Sequence, residues 1–92
     1  MHLNHEHQLM LLNDILSEQH SECCGTESEY EQMERLIHSL LTNEAVNENL
    51  KTTLQSMSKY CEKGKNCFDV EQHIETHKQD MENWIQNLNT YS

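Results

Sequence analysis

Val70, Ile74, His77, Met81, Trp84 and Leu88 recur at steps of four, three, four, three and four. That spacing keeps one stripe of a 3.6-residue helix facing a partner and leaves Glu71, Gln72, Glu75, Lys78, Asp80 and Glu82 to water. Similar stripes fill the rest of the chain. Leu9, Leu12 and Leu16 form a row with Leu11 and Ile15 beside it. Tyr30, Met33, Ile37 and Leu40 form another, flanked by Leu36 and Leu41, and Val46, Leu50, Leu54, Met57 and Cys61 a third, with Tyr60 adjacent. The pattern predicts helices over about 3–23, 27–42, 45–63 and 69–89. The expected core is Leu12, Ile15, Leu16, Met33, Ile37, Leu40, Leu50, Leu54, Met57, Ile74, Met81 and Trp84.

Punctuation between the stripes is sparse: the chain has no proline and only two glycines, Gly25 and Gly64. Gly25 is expected just past the first helix, where a left-handed residue costs glycine nothing, and His20 in the last turn complements the helix dipole. Thr26 can cap the second helix, with Glu29 three residues on reaching back as a capping box. Asn43 or Asn47 can cap the third. Lys59 and Lys63 are expected in its last turn, with Gly64 as its stop. Asn66 or Asp69 then caps a fourth helix, and Asp69 with Gln72 repeats the capping-box spacing. Short connections make successive helices antiparallel neighbours, so the fold class is all-α, a small up-down-up-down four-helix bundle. A helical hairpin pair completed by dimerisation is the alternative.

Ninety-two residues make one domain, and a chain of that length buries only about 60–65% of its unfolded surface. Self-association would bury more. Sixteen acids against six bases give a net charge of −10, which repels the phosphate backbone and argues against nucleic acid as a partner. The imbalance is uneven. Residues 1–50 hold ten acids and only Arg35, whereas residues 51–92 hold six acids and five lysines, so a charge-steered partner would be basic and would meet the first half. No basic n-region opens the chain and no apolar window approaches a membrane span. The expected location is the cytosol, where Cys23, Cys24, Cys61 and Cys67 stay thiols.

Candidate chemistry is thin. His73 and His77 stand four apart on one helix, a spacing that can bring two imidazoles to one metal, but Ile74 occupies the place where a zincin carries glutamate. His77 also falls on the buried stripe. No histidine has glutamate three residues before it, as a di-iron bundle requires. His2, His5 and His7 read as a solvated end. Cys23 and Cys24 are adjacent rather than C-x-x-C, and Cys61 and Cys67 are parted by five residues across a connection. Cys61 belongs to the core, and Cys67 lies near a helix start, where a dipole lowers thiol pKa. His73, His77, Cys61 and Cys67 are therefore the residues a metal or thiol-redox sensor would use. Phosphotransfer bundles resemble His-x-x-Lys-Gly around their exposed histidine, and neither His38 nor His77 fits. With no phosphate loop or nucleophile elbow either, the expectation is no enzyme, no cofactor and no resident metal. What remains is a non-catalytic interaction module, pairing with itself as a homodimer or with another protein. Leu36, Leu41 and Ile85 widen the stripes beyond a two-residue seam, and with Trp84 and Tyr91 they are the expected source of an apolar interface.

Three stretches carry a resemblance: His7-Gln8-Leu9-Met10-Leu11-Leu12-Asn13-Asp14-Ile15-Leu16, Glu22-Cys23-Cys24-Gly25-Thr26-Glu27-Ser28-Glu29-Tyr30-Glu31-Gln32 and His73-Ile74-Glu75-Thr76-His77. The chain resembles the YtzH-like family, small proteins of spore-forming Gram-positive bacteria, over nearly its whole length. The Cys-Cys-Gly-Thr hinge is the most specific element. The resemblance implies a bacterial cytoplasmic protein and offers no activity or catalytic residue to transfer.

Overall fold

The structure, a computed structural model, describes residues 4–23 and 25–91. Within them it is all-α: α1 (His5–Glu22), α2 (Glu27–Leu41), α3 (Glu48–Lys65), α4 (Val70–Thr76) and α5 (Lys78–Tyr91). Four of these helices start at a side-chain cap that satisfies an otherwise orphaned amide. Asn4 accepts from the His7 amide at 2.9 Å, Thr26 from Glu29 at 3.1 Å, Asn47 from Asn49 at 2.8 Å and Asp69 from Gln72 at 3.1 Å. Asn43 caps the preceding turn instead, accepting from the Ala45 amide at 2.9 Å. α3 therefore starts at Glu48 rather than near residue 45. His5 opens α1 rather than belonging to a frayed end; Leu3 and His2 lie outside the described residues.

Both glycines do something other than what their positions suggested. The left-handed residue after α1 is Cys23, at φ 54° and ψ 36°, and neither glycine has positive φ. α3 runs through Gly64 to Lys65, with Asn66 as its C-cap. The reason for glycine is crowding. A Cβ on Gly64 would come within 2.6 Å of the Tyr30 ring, and one on Gly25 within 2.7 Å of Gln19 Nε2. Because α3 is longer than expected, Lys63 and Lys65 occupy its last turn and Lys59 does not.

The expected fourth helix is two. Its seam continues unbroken from Ile74 to Leu88, but the backbone interrupts at His77, at φ −105° and ψ 9°. In a continuous helix the His77 amide would bond the His73 carbonyl. Here the His77 ring takes that acceptor, Nδ1 to His73 O at 2.8 Å, and the amide settles for Ile74 O at 3.0 Å. The side chain has displaced its own backbone from the i−4 bond, a competition better known for Ser, Thr, Asn and Asp. The Met81 amide then bonds His77 O at 2.8 Å, so the helix resumes within one turn.

α1 packs against α2 and α5, α2 against α3, and α3 against α5. The facing stripes bury all twelve expected core residues, together with Leu9, Tyr30, Leu36, Val46, Tyr60, Cys61 and Leu88. The Cα radius of gyration, 12.3 Å, equals the roughly 12 Å of a close-packed chain this long. Leu36 is buried, and Leu41 and Ile85 pack against the core, so the extra stripe width is consumed inside the molecule and does not form the expected apolar surface. The Tyr91 side chain lies outside the description. Among the described residues, the large apolar side chains that are exposed are Met10 and Phe68, at 57% and 110% exposure.

Candidate functional site

Tyr60, one turn from the end of α3, is the hub of an aromatic cluster drawn from four helices. Its ring stacks on His73 at 4.6 Å and 11°. It meets Tyr30, His77 and Trp84 edge-on at 5.6, 5.3 and 5.5 Å, and such pairs contribute about 0.5–1.5 kcal/mol each beyond burial. The hydroxyl ends carry a buried chain of hydrogen bonds. Tyr60 donates to Gln19 Oε1 at 2.9 Å, which spends its single hydrogen, so Tyr30 must be the donor in the 3.2 Å contact between the two hydroxyls. The Gln19 amide donates to Glu29 at 3.4 Å. Glu29 therefore serves the α1–α2 junction, beyond any capping-box role. Burial holds both phenols neutral and pushes their pKa values upward.

The two histidines on the expected metal-binding face are brought together, with ring centroids 4.6 Å apart. Their tautomers follow from their partners, because a carbonyl only accepts. His73 donates through Nε2 to Tyr60 O at 3.0 Å, and His77 donates through Nδ1 to His73 O. Burial is the main reason His73 is pulled below its ordinary pKa, with His77 adding to the effect and the Tyr60 carbonyl opposing it. Each imidazole keeps one lone pair. No three His, Cys, Asp or Glu side chains among the described residues converge as a metal site would need.

The cysteines lie in three settings. Cys61 is fully buried, its thiol pushed up to about 12 mainly by desolvation and then by Glu34. Cys67 is half-buried, and its Sγ donates to Gly64 O at 3.2 Å, turning back toward α3 and away from the N-terminus of α4. Both are free thiols. Cys23 donates to Glu75 Oε1 at 3.1 Å, and Lys78 reaches the same carboxylate at 3.6 Å. These two contacts, the thiol first, hold Glu75 below its ordinary pKa. The pair ties the end of α1 to the α4–α5 junction. Cys24 lies outside the described residues.

Phe68 stands apart from all of this. It occupies the connection between α3 and α4, fully in solvent, between two anchored neighbours: Cys67, whose amide and thiol both bond Gly64 O, and Asp69, which caps α4. The connection is short and tied at both ends, so the ring is held out rather than folded under. A lone aromatic outside any stripe leaves no periodic trace in the sequence. Its position between two capping signals, Asn66 and Asp69, was the available hint.

The profile of the YtzH-like protein family matches residues 3–88. Over its full 92 residues the chain is 38% identical to "Uncharacterized protein YtzH" of Bacillus subtilis (strain 168), covering all of both chains. The chain belongs to the YtzH-like family. No solved structure matches it, and none of its described helices is long and apolar enough to cross a membrane.

Proposed function

We propose that the protein is a non-catalytic helical interaction module that acts in the cytosol by self-association. In this reading α4 and α5 together supply the fourth arm of an up-down-up-down bundle, and the arm carries its partner surface at the α3–α4 corner. The supporting observation is Phe68, a fully exposed phenylalanine on an anchored connection. Aromatic side chains are enriched at interface cores and their exposure has a hydration cost in the free chain. With the backbone on either side already anchored, docking has only the side-chain rotamers of Phe68 left to order. A two-fold pairing that seats Phe68 against the partner copy is the simplest assembly, since it needs no second patch. Light scattering after size exclusion, over a dilution series, tests this. The wild-type chain should shift from dimer to monomer with dilution, and Phe68→Asp should be monomeric throughout with unchanged helix content. A wild-type chain that is monomeric at every concentration, or a Phe68→Asp variant that dimerises equally well, refutes the reading.

A further inference from the structure

The geometry points to a binding pocket between α3 and α5 for a small flat organic anion, one ring bearing a carboxylate or phosphate. The cavity measures about 220 Å³ and is lined by Ser56, Lys59, Tyr60, Lys63, His77, Asp80 and Trp84. It is smaller than the roughly 300–1,000 Å³ of sites for drug-sized ligands, which suits a single ring and one charged group. It is separate from Phe68, and nothing in the self-association reading uses it.

Two kinds of wall define the ligand. His77 and Trp84 supply ring surface over a floor formed by the almost wholly buried Tyr60, and rings in contact with rings prefer offset or edge-on seating. Lys59 and Lys63, one turn apart on α3, supply charge. In a chain of net charge −10, Lys65 is engaged with Glu34 at 2.9 Å and Lys78 with Glu75 at 3.6 Å, and Lys51 stands in the first turn of α3, two turns from Lys59. Lys59 and Lys63 form no ion pair among the described residues; both lie at this mouth, where Asp80 is the acid in the lining, while Glu62 adjoins them in the neighbouring surface depression. With Lys59 outside the last turn of α3, the helix dipole does not account for it. His77 adds a ring whose orientation is fixed. Its Nδ1 is committed to His73 O, so in the neutral ring Nε2 is an acceptor, and the anionic oxygen is held by the lysines while this imidazole contributes ring surface. A lysine pair reads anions as point charges, so the shared chemistry is a negative oxygen and the head group is settled by experiment.

Trp84 is the chain's sole tryptophan, so its fluorescence and its indole N–H resonance both report on this pocket directly. The wild-type protein is titrated with benzoate, phenyl phosphate, inorganic phosphate and benzyl alcohol. At least one ring anion should saturate both signals below about 10 mM, and the one that does identifies the head group. Inorganic phosphate, lacking the ring, and benzyl alcohol, lacking the charge, should each bind at least about tenfold more weakly. Lys59→Gln and Lys63→Gln should each weaken binding by about tenfold, as expected for loss of a charge-assisted contact, while Lys51→Gln on the same helix changes nothing. The proposal is overturned if neither ring anion saturates either signal. It is equally overturned if the two pocket lysines prove irrelevant, or if either control compound binds as tightly as the ring anions.

Discussion

Gly64 is the residue where local preference and packing disagree most plainly. Alanine would favour the α3 helix by about 1 kcal/mol, yet its Cβ would sit 2.6 Å from Cε1 and Cζ of Tyr30, a ring held by its hydroxyl and by Tyr60. Overpacking of this kind costs about 1–3 kcal/mol, so Gly64→Ala should lower the melting temperature by several degrees, and Tyr30→Leu in the same chain should cancel most of that loss. Gly25→Ala meets the flexible end of Gln19 and should cost less. The glycines were visible in the sequence as breakpoints, but their reason was not, because it lies in a side chain 34 residues away in one case. Cys61 gives a second prediction. Its thiol is raised from an ordinary 9.0 to about 12 in the fold, so between those values the unfolded chain gives up a proton that the native chain keeps, and stability falls as pH rises. The loss should begin near pH 9 for the wild type. For Cys61→Ala it should begin only above about 10, where the raised pKa values of Tyr30 and Tyr60 take over. Urea unfolding midpoints across pH 7–11 check this.

At the scale of elements, caps and seams were readable and the helix break was not. Thr26 and Asp69 were legible because a short oxygen-bearing side chain precedes each apolar stripe. The junction at His77 carries no glycine, proline or cap signal, and its apolar period runs straight through, since Ile74, Met81, Trp84 and Leu88 all remain buried. Only the histidine ring's capture of the His73 carbonyl distinguishes it. His77→Ala returns that carbonyl to the backbone, and the prediction is one continuous helix from Val70 onward, seen as a helical ¹³Cα shift at residue 77. A shift that stays non-helical would mean that packing, not the ring, sets the break. His73 is coupled to the same junction. Burial lowers its pKa from the ordinary 6.5, so the unfolded chain binds the extra proton first, and this contribution is present above pH 6.5 and lost as the pH falls. His73→Phe keeps the stack on Tyr60 and should be measurably less sensitive to the step from pH 7 to pH 5 in thermal unfolding.

At the scale of the molecule, charge and surface dominate. The net charge of −10 repels itself in the compact state, while the ion pairs Lys65–Glu34 and Lys78–Glu75 are partly or largely exposed and of the kind that contributes little. Added sodium chloride should therefore raise the melting temperature, by an amount largest below about 0.2 M, where screening changes fastest. A fall would show that the pairs outweigh the repulsion. The helical class and the composition of the core could be inferred from periodicity alone, because a seam is a property of spacing. The surface could not, because exposure depends on which stripes meet: Leu36, expected to widen an interface, turned inward, and Phe68, which belongs to no stripe, stands outward. The interaction reading rests on that outward ring. Its most direct test is a photo-crosslinking phenylalanine analogue at position 68, illuminated in living cells, with exposed Gln32 on α2 as the control position. The account predicts a crosslinked band at about twice the 10.9 kDa of the chain from position 68 and none from position 32. Absence of that band from position 68, or equal bands from both, would contradict it.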